Sequence, residues 1–318
     1  MQDEIRKDLF GREVIIAATR SKRPGAFMHK PEENQICPFC PGNEHMTMKD
    51  VLALPDKRNW QVRVFQNKFP VLSGTEFRCR KVGMYKKYTP LGKHEIMVET
   101  RNHGKEYETM DAGNIELVLV ALKMRYEELI RIKGVNYVTI FKNKGKEAGA
   151  SLEHTHTQII ASPLFPEQIS REMDESEAFF KVGKTCGFCT VLREELRERK
   201  RIVFQNRHWL CVTPYSSIWP YTVSLIPKRH FSELPEMKHE ELKSLAQMYR
   251  KIFGAYSKLF SHLPYNMMYH NFPRSELWHF HLDIYPRLVT HAGFEFFGLN
   301  VNISPPEQAA KDLRNALE

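Results

Sequence analysis

The feature that most constrains the fold of this chain is an ordered series of motifs that occurs twice. Each series contains, in the same order, a Cys-x-x-Cys pair, a Val-Phe-Gln-Asn segment, a strand that leads to a histidine, a long helix and a His-x-His pair. One Cys-x-x-Cys match would be weak evidence, but the whole series predicts a duplicated α+β unit. The landmarks are Cys37, Cys40, Asn67, His103, His154 and His156 in the first copy, and Cys186, Cys189, Asn206, His230, His279 and His281 in the second.

The length of 318 residues suits one large domain or two of ordinary size. Because the series repeats, we predict a first repeat over residues 1–163, which carries the active site, and a degenerate second repeat over residues 164–318. Apolar periodicity predicts helices over about residues 112–132, 164–184 and 240–259.

The composition is that of a globular protein with a basic surplus. Hydrophobic residues make up 42% and charged residues 27% of the chain, and the net charge is +9. A basic surplus attracts nucleotides, sugar phosphates or nucleic acid, although it also fits a solvated lysine-rich surface. Because the sequence shows no aromatic-rich basic stripe and no recognised nucleic-acid module, we do not expect nucleic acid as a partner.

Membrane and export signals are missing from the sequence as given. It contains no run of about 18 apolar residues, so we expect no membrane span. The first seven residues form no apolar signal core, and we expect a cytoplasmic protein.

The paired cysteines predict two metal sites. In a reducing compartment a Cys-x-x-Cys pair more often binds zinc than forms a disulfide, and two histidines can complete a tetrahedral site. Four protein ligands close such a site, so we predict two structural zinc ions, with unliganded thiols as the alternative. Iron in the second site stays open, although two thiolates favour zinc. The predicted ligands are Cys37, Cys40, His103 and His154, and Cys186, Cys189, His230 and His279.

The stretch from Gly149 to Gln158 predicts a nucleophile. Alternate side chains of a strand share a face, so His154, His156 and Gln158 point the same way. With His154 bound to metal, His156 is free to attack phosphorus and to form a covalent intermediate. Gln158, Ser151 and nearby backbone N–H groups are candidate donors to phosphate oxygens.

Other residues of the same chemistry flank this stretch. Gly149 allows the backbone to approach a phosphate closely. Arg20 and Arg23 offer charge for a leaving phosphate, or form only a solvated turn. In the second copy Asp283 replaces Gln158, and a carboxylate repels phosphate. We therefore predict that His281 is not a second nucleophile and that the second repeat is a scaffold.

These motifs resemble the galactose-1-phosphate uridylyltransferase family, a duplicated branch of the histidine-triad superfamily, over nearly the whole chain. The resemblance implies an α+β fold in which two histidine-triad-like repeats form one continuous antiparallel sheet flanked by helices. It also implies Cys37, Cys40, His103 and His154 as zinc ligands and a sugar-binding C-terminal segment. The residues that match the family's substrate and catalytic positions are Arg20, Arg23, Asn67, Phe69, Asn143, Gly149, Ser151, His156, Gln158 and, as a hexose-hydroxyl ligand, Glu295.

The resemblance implies a nucleotidyltransferase. His156 would take a UMP or other nucleoside monophosphate group from a nucleoside-diphosphate hexose and pass it to a hexose 1-phosphate. The family also implies a homodimer in which the C-terminal segment helps to complete the partner's site. The substrates would be nucleotide sugars and sugar phosphates.

Three residues depart from the stricter uridylyltransferases. Thr155, Thr157 and Lys68 stand where those enzymes have Pro, Gly and an acidic residue, and they resemble plant-type ADP-glucose phosphorylases. The alternatives are therefore a phosphorylase that splits an ADP-sugar or a dinucleoside polyphosphate with inorganic phosphate, and a hydrolase. A third is a non-catalytic, zinc-stabilised nucleotide- or RNA-binding protein.

Overall fold

The computed structural model describes residues 3–7, 13–16, 36–273 and 275–318. The predicted phosphate ligands Arg20 and Arg23 lie outside the described residues, as does Arg274. The described part contains a ten-stranded and a four-stranded sheet together with α-helices, so the predicted α+β class is confirmed.

The ten-stranded sheet is continuous and antiparallel, as predicted. Its order is β10-β11-β12-β14-β13-β8-β9-β7-β4-β3, so the two halves of the chain meet where β13 pairs with β8. The strands of the first half are β3 (Asp50–Leu54), β4 (Val62–Gln66), β7 (Lys93–Val98), β8 (Tyr137–Lys144) and β9 (His156–Ser162). Those of the second half are β10 (Ile202–Gln205), β11 (Trp209–Val212), β12 (Val223–Pro227), β13 (Tyr265–His270) and β14 (His281–Pro286).

The smaller sheet stands apart from this one. It consists of β1 (Glu4–Lys7), β2 (Glu13–Ile16), β5 (Cys79–Val82) and β6 (Tyr85–Tyr88), in the order β2-β1-β6-β5. The β5–β6 hairpin was not predicted, because its residues are mostly exposed and basic and show no apolar alternation.

The helices divide between the two faces of the large sheet. Helices α1 (Ala112–Leu129), α4 (His239–Leu259) and α5 (Pro306–Leu317) build the main core against one face. Helices α2 (Glu167–Gly183) and α3 (Gly187–Glu198) belong to smaller apolar clusters on the other face. The three predicted helices are thus present, while α3 and α5 were not predicted as helices.

One of the predicted motif correspondences is wrong. Asn67 follows β4, the strand that pairs with β7, whereas Asn206 precedes β11, the strand that pairs with β12. By position in the sheet, β4 therefore corresponds to β11 and not to β10. The shared Val-Phe-Gln-Asn letters lie on strands that are not equivalent.

A buried ionic network lies on the main-core side of the β9 strand. Lys142 is 1% exposed, and its ammonium lies 2.6 Å from Glu99 and 3.2 Å from Glu106. The Thr157 hydroxyl donates to Glu99 at 2.5 Å, and Thr155 bonds both Lys142 and Glu99. Burial lowers the pKa of Lys142, but the two carboxylates more than offset it and raise that pKa, so the charge is retained.

We expect Lys142→Met to lower the free energy of unfolding by about 3–5 kcal/mol, because it leaves the buried Glu99 carboxylate without its cation. Urea titration measures this change. Lys181→Met is the control, since Lys181 is 74% exposed and pairs with the exposed Glu177, and its loss should cost less than about 1 kcal/mol. Equal losses in the two variants would contradict a structural role for the network.

Candidate active site and metal centres

The first predicted quartet meets in space. The Nδ1 atom of His154 lies 3.6 Å from the sulfur of Cys37 and 3.6 Å from that of Cys40, and His103 Nδ1 lies 3.4 Å from Cys40. All four ligand atoms lie within 4.8 Å of one another. A tetrahedral ion with Zn–S of about 2.3 Å and Zn–N of about 2.0 Å separates sulfur from nitrogen by roughly 3.6 Å. The quartet therefore fits a tetrahedral metal ion.

The second predicted quartet meets in the same way. His279 Nδ1 lies 4.0 Å from Cys186 and 3.5 Å from Cys189, and His230 Nδ1 lies 3.4 Å from Cys189. Cys186 is the N-cap residue of α3, and Cys189 lies in its first turn. The helix N-terminus favours a thiolate at this position.

Backbone carbonyls orient the buried histidine of each quartet. His154 Nε2 lies 2.8 Å from the carbonyl of Thr100, and His279 Nε2 lies 2.8 Å from that of Pro227. Because a carbonyl only accepts, Nε2 carries the proton and Nδ1 presents its lone pair to the sulfurs. Burial lowers the pKa of His279 to about 3, which keeps the ring neutral, as a metal ligand must be.

The cysteine pairs need a cation to hold two thiolates. Burial, followed by the neighbouring Cys37, raises the pKa of Cys40. Burial, followed by the neighbouring Cys186, raises the pKa of Cys189 to about 11. Both pairs are free cysteines in positions where a divalent ion would deprotonate them.

His156 is the first residue of β9, and His154 lies just before the strand. The Nδ1 atom of His156 lies 2.7 Å from the carbonyl of His154, so Nδ1 is the protonated nitrogen of His156 and the lone pair is on Nε2. Among the described residues, no group bonds Nε2. The ring lies edge-on to Phe39, with centroids 5.3 Å apart, and burial lowers its pKa, so it is neutral at physiological pH.

Gln158 lies two residues further along the same face, as predicted, and a histidine that the sequence analysis missed holds its amide. His94 Nε2 lies 3.0 Å from Gln158 Oε1, and His94 Nδ1 accepts the backbone N–H of Val71 at 3.2 Å. Asn67 is part of the same group, with its Nδ2 3.4 Å and 3.2 Å from the two ring nitrogens. Its Oδ1 accepts the N–H of Phe69 at 2.9 Å.

The connection from β8 to β9 brings Asn143 and Gly149 together. Gly149 has φ +81°, a conformation that favours glycine, and a Cβ there would lie 4.0 Å from Asn143 Nδ2. Asn266 of β13 donates to Asn143 Oδ1 at 2.8 Å and to the carbonyl of Ala148 at 2.9 Å. Ser151 is exposed in the same connection. Asn266 was also missed, because only the pairing of the two repeats brings it here.

The equivalent position in the second half is closed. Phe188 and His270 both stack on His281, with ring centroids 4.2 Å away in each case. Glu172 of α2 lies 3.9 Å from His281 Nε2 and 3.1 Å from His270 Nδ1. Burial raises the pKa of Glu172, but His270 more than offsets this and lowers it to about 2. His281 therefore faces a carboxylate, and these three polar residues also converge as a possible metal-binding group.

Within the described chain, Glu295 forms no hydrogen bond with His156, Gln158 or Asn143. It begins a short 3₁₀ turn, Glu295–Phe297, and its carboxylate accepts the N–H of Ala292 at 2.9 Å. Phe296 and Phe297, next to it, are 86% and 89% exposed. This segment carries large apolar side chains on the surface of a single chain.

Fold and site together define a duplicated α+β protein with two Cys2His2 clusters and, among the described residues, one His-x-His strand whose second histidine has an unbonded Nε2 and faces no carboxylate. Residues 4–166 match the N-terminal domain of galactose-1-phosphate uridyl transferase, and residues 139–318 match its C-terminal domain. The chain therefore belongs to the galactose-1-phosphate uridyl transferase family. This confirms the resemblance and the predicted enzyme class, nucleotidyltransferase.

Two curated relatives match almost the whole chain. The ADP-glucose phosphorylase of Arabidopsis thaliana is 30% identical over 98% of this chain and 92% of its own length. A galactose-1-phosphate uridylyltransferase of Thermotoga maritima is 32% identical over 95% of this chain and 94% of its own.

Solved structures of both kinds share the fold. A uridylyltransferase structure superposes with a TM-score of 0.83 at 29% identity, covering 99% of this chain and 98% of that one. The Arabidopsis thaliana ADP-glucose phosphorylase with bound ADP-glucose gives a TM-score of 0.78 at 28% identity, covering 98% of this chain and 99% of that one. Within the described residues, no helix has the length and apolar character needed to cross a membrane.

We expect the protein, purified without chelator, to hold about one metal equivalent per quartet, because each quartet has tetrahedral S···N separations. Cys189→Ser should remove about one equivalent and lower the melting temperature, since it takes one of the thiolates from the second site. Elemental analysis measures the content. Cys79→Ser is the matched control because Cys79 is exposed and lies in neither quartet, and equal metal content in both variants would contradict the assignment.

Proposed function

We propose that the protein transfers a nucleoside monophosphate group between a nucleoside-diphosphate hexose and a hexose 1-phosphate through a covalent nucleotidyl-His156. The observation that carries this proposal is the orientation of His156, whose Nδ1 is bonded to the His154 carbonyl at 2.7 Å. This contact leaves the Nε2 lone pair as the reacting group.

In the first step Nε2 of His156 attacks the α-phosphorus, and the bond from that phosphorus to the bridging oxygen breaks. Hexose 1-phosphate leaves with the electron pair, and the His154 carbonyl stabilises the positive charge that develops on the ring. In the second step an oxygen of the acceptor phosphate attacks the same phosphorus, and Nε2 leaves with its lone pair restored.

The amides of Gln158 and Asn143 would donate to the phosphate oxygens, as would the loop at Gly149 and Ser151. Asn67 and Phe69 would contact the nucleoside, Glu295 the hexose, and Arg20 and Arg23 the leaving phosphate. These roles rest on the match to the family's positions and on the meeting of Asn67, Gln158 and Asn143 around β9.

We infer that zinc is the ion in both quartets, since two thiolates and two imidazoles favour it. The ion would supply a fixed structural anchor. In the first site it would hold His154, and through the His154 carbonyl it would fix the ring of His156.

Phosphorolysis of an ADP-sugar is the second candidate function. It is favoured by the 30% identity with an ADP-glucose phosphorylase over 98% of the chain. The covalent step would be the same, and inorganic phosphate would replace the hexose 1-phosphate as acceptor. The first experiment below distinguishes the two by the base and by the acceptor.

We expect brief incubation with UDP-glucose, UDP-galactose or ADP-glucose, without acceptor, to add a nucleotidyl group that intact-mass spectrometry detects. His156→Ala should abolish the adduct, because it removes the nitrogen that attacks phosphorus. His281→Ala is the matched control: it has the same place in the second half, faces Glu172 and should keep the adduct. The added mass identifies the base, and release by hexose 1-phosphate or by inorganic phosphate identifies the acceptor.

An adduct that persists in His156→Ala would refute the assigned nucleophile. No adduct and no exchange between the sugar nucleotides and labelled acceptors, in folded and metal-loaded protein, would favour the non-catalytic binding protein. Loss of the adduct in His281→Ala with normal folding would contradict the scaffold role of the second half.

We further propose a homodimer in which the C-terminal segment reaches the partner's site. The exposed Phe296 and Phe297 support it, since adjacent large apolar side chains on a surface are typical of an interface. Glu295 beside them makes no contact with its own His156 group within the described residues, which fits a role in the partner.

We expect Phe296→Ser/Phe297→Ser to shift the protein from dimer to monomer in sedimentation velocity and to lower turnover. The stability of the monomeric unit should change little, because both side chains are exposed in the single chain. Val182→Ser is the control, since Val182 is equally exposed, at 88%, but lies on α2. A double variant that remains dimeric and fully active would contradict this interface.

A further inference from the structure

We propose that two hydrogen-bond chains behind the site, Val71–His94–Gln158 and Arg287–Asn266–Asn143, fix which end of each amide faces the substrate phosphate. His94 and Asn266 are the positioning residues of these chains. The proposal deepens the proposed function and rests on it. Its chemical content is that both amides must present N–H donors and not carbonyl oxygens.

In the first hydrogen-bond chain the backbone N–H of Val71 determines the tautomer of His94 and, through it, the orientation of the Gln158 amide. The Val71 N–H can only donate, and it lies 3.2 Å from His94 Nδ1. That nitrogen must therefore be the acceptor, so His94 carries its proton on Nε2. Nε2 then donates to Gln158 Oε1 at 3.0 Å, which leaves the NH2 group of Gln158 for the site. Since His94 is 2% exposed, water cannot readily replace these partners.

In the second chain a guanidinium and a backbone carbonyl determine the same outcome. Arg287 has no acceptor atoms, so its Nη1 donates to Asn266 Oδ1 at 3.0 Å. The Ala148 carbonyl, 2.9 Å from Asn266 Nδ2, fixes the same orientation. Asn266 Nδ2 therefore donates to Asn143 Oδ1 at 2.8 Å, and the NH2 group of Asn143 faces Gly149.

The two amides lie on the same face as His156, Gln158 two residues further along β9 and Asn143 on the neighbouring strand β8. Strand β9 pairs with β7, which carries His94, and with β8, which carries Asn143. Within the described chain, no group accepts from Gln158 Nε2 or from Asn143 Nδ2. Both donors are thus held ready for an anion, whereas a flipped amide would place a carbonyl oxygen against phosphate.

The experiment for the first chain is a double-mutant cycle. His94→Phe should lower kcat for nucleotidyl exchange about 10- to 100-fold with a smaller change in KM. The reason is that the Gln158 amide, once misoriented, no longer donates to the phosphate oxygens in the transition state. In a Gln158→Ala background the same substitution should lower kcat no further, since His94 reaches the phosphate through that amide, and any loss through its contact with Asn67 should appear in KM. His94→Gln should restore part of the rate, because its amide can accept from Val71 and donate to Gln158.

The experiment for the second chain uses an isosteric change. Asn266→Asp keeps the Arg287 partner but cannot donate to Asn143 or to Ala148, so Asn143 should turn its oxygen toward the phosphate. We expect kcat to fall about 10- to 100-fold, and no further fall in an Asn143→Ala background. Asn206→Asp is the matched control, because Asn206 precedes β11 near the far edge of the sheet, and its kcat should be unchanged.

Additive losses in either double variant would overturn the proposal, because they would show a general structural effect. Unchanged kcat in His94→Phe and Asn266→Asp would overturn it as well. If the wild-type protein forms no nucleotidyl adduct, the proposed function fails separately, and UMP and AMP binding by calorimetry replaces kcat in the same cycles. Absence of both binding and turnover in the wild type would overturn both proposals.

Discussion

The structure depends on strand β9, whose two faces have different surroundings. On one face His156 and Gln158 point toward the site, and on the other Thr157 donates to Glu99, which pairs with the buried ammonium of Lys142. A strand has a side-chain period of two, so a shift of one residue would turn the imidazole toward Glu99 and the threonine toward the opposite face. The cost of unpairing a buried charge therefore favours the register that turns His156 away from Glu99 and toward Gln158 and Asn143.

Duplication gave the molecule two copies of one framework, and the copies differ around the second histidine of each His-x-His pair. Both halves retain a Cys2His2 quartet and the carbonyl that orients its buried histidine. In the second half α2 brings Glu172 toward His281, which closes the equivalent position. The second half still serves the first, since Asn266 on β13 crosses the junction between the repeats and holds Asn143.

Motif spacing predicted what depends on local sequence order: both quartets, the strand with His156 and Gln158, the continuous sheet and three helices. It could not predict contacts that arise from strand pairing across the sheet, which is why His94 and Asn266 were missed. The Val-Phe-Gln-Asn correspondence was wrong because similar letters lie on strands with different neighbours. Helix α3 was missed because its Cys-x-x-Cys pair was interpreted only as metal ligands.

Hydrogen bonds to backbone carbonyls give the two histidines of each His-x-His pair different tautomers. The Nε2–H groups of His154 and His279 each donate to a backbone carbonyl, so that Nδ1 faces the cysteines. In His156 and His281 the Nδ1–H group donates to the carbonyl two residues earlier, so that the lone pair is on Nε2. His281 thus keeps the tautomer of a nucleophile. The second half differs in what lies before that nitrogen, a carboxylate and two stacked rings, while the carbonyl that orients the imidazole is the same.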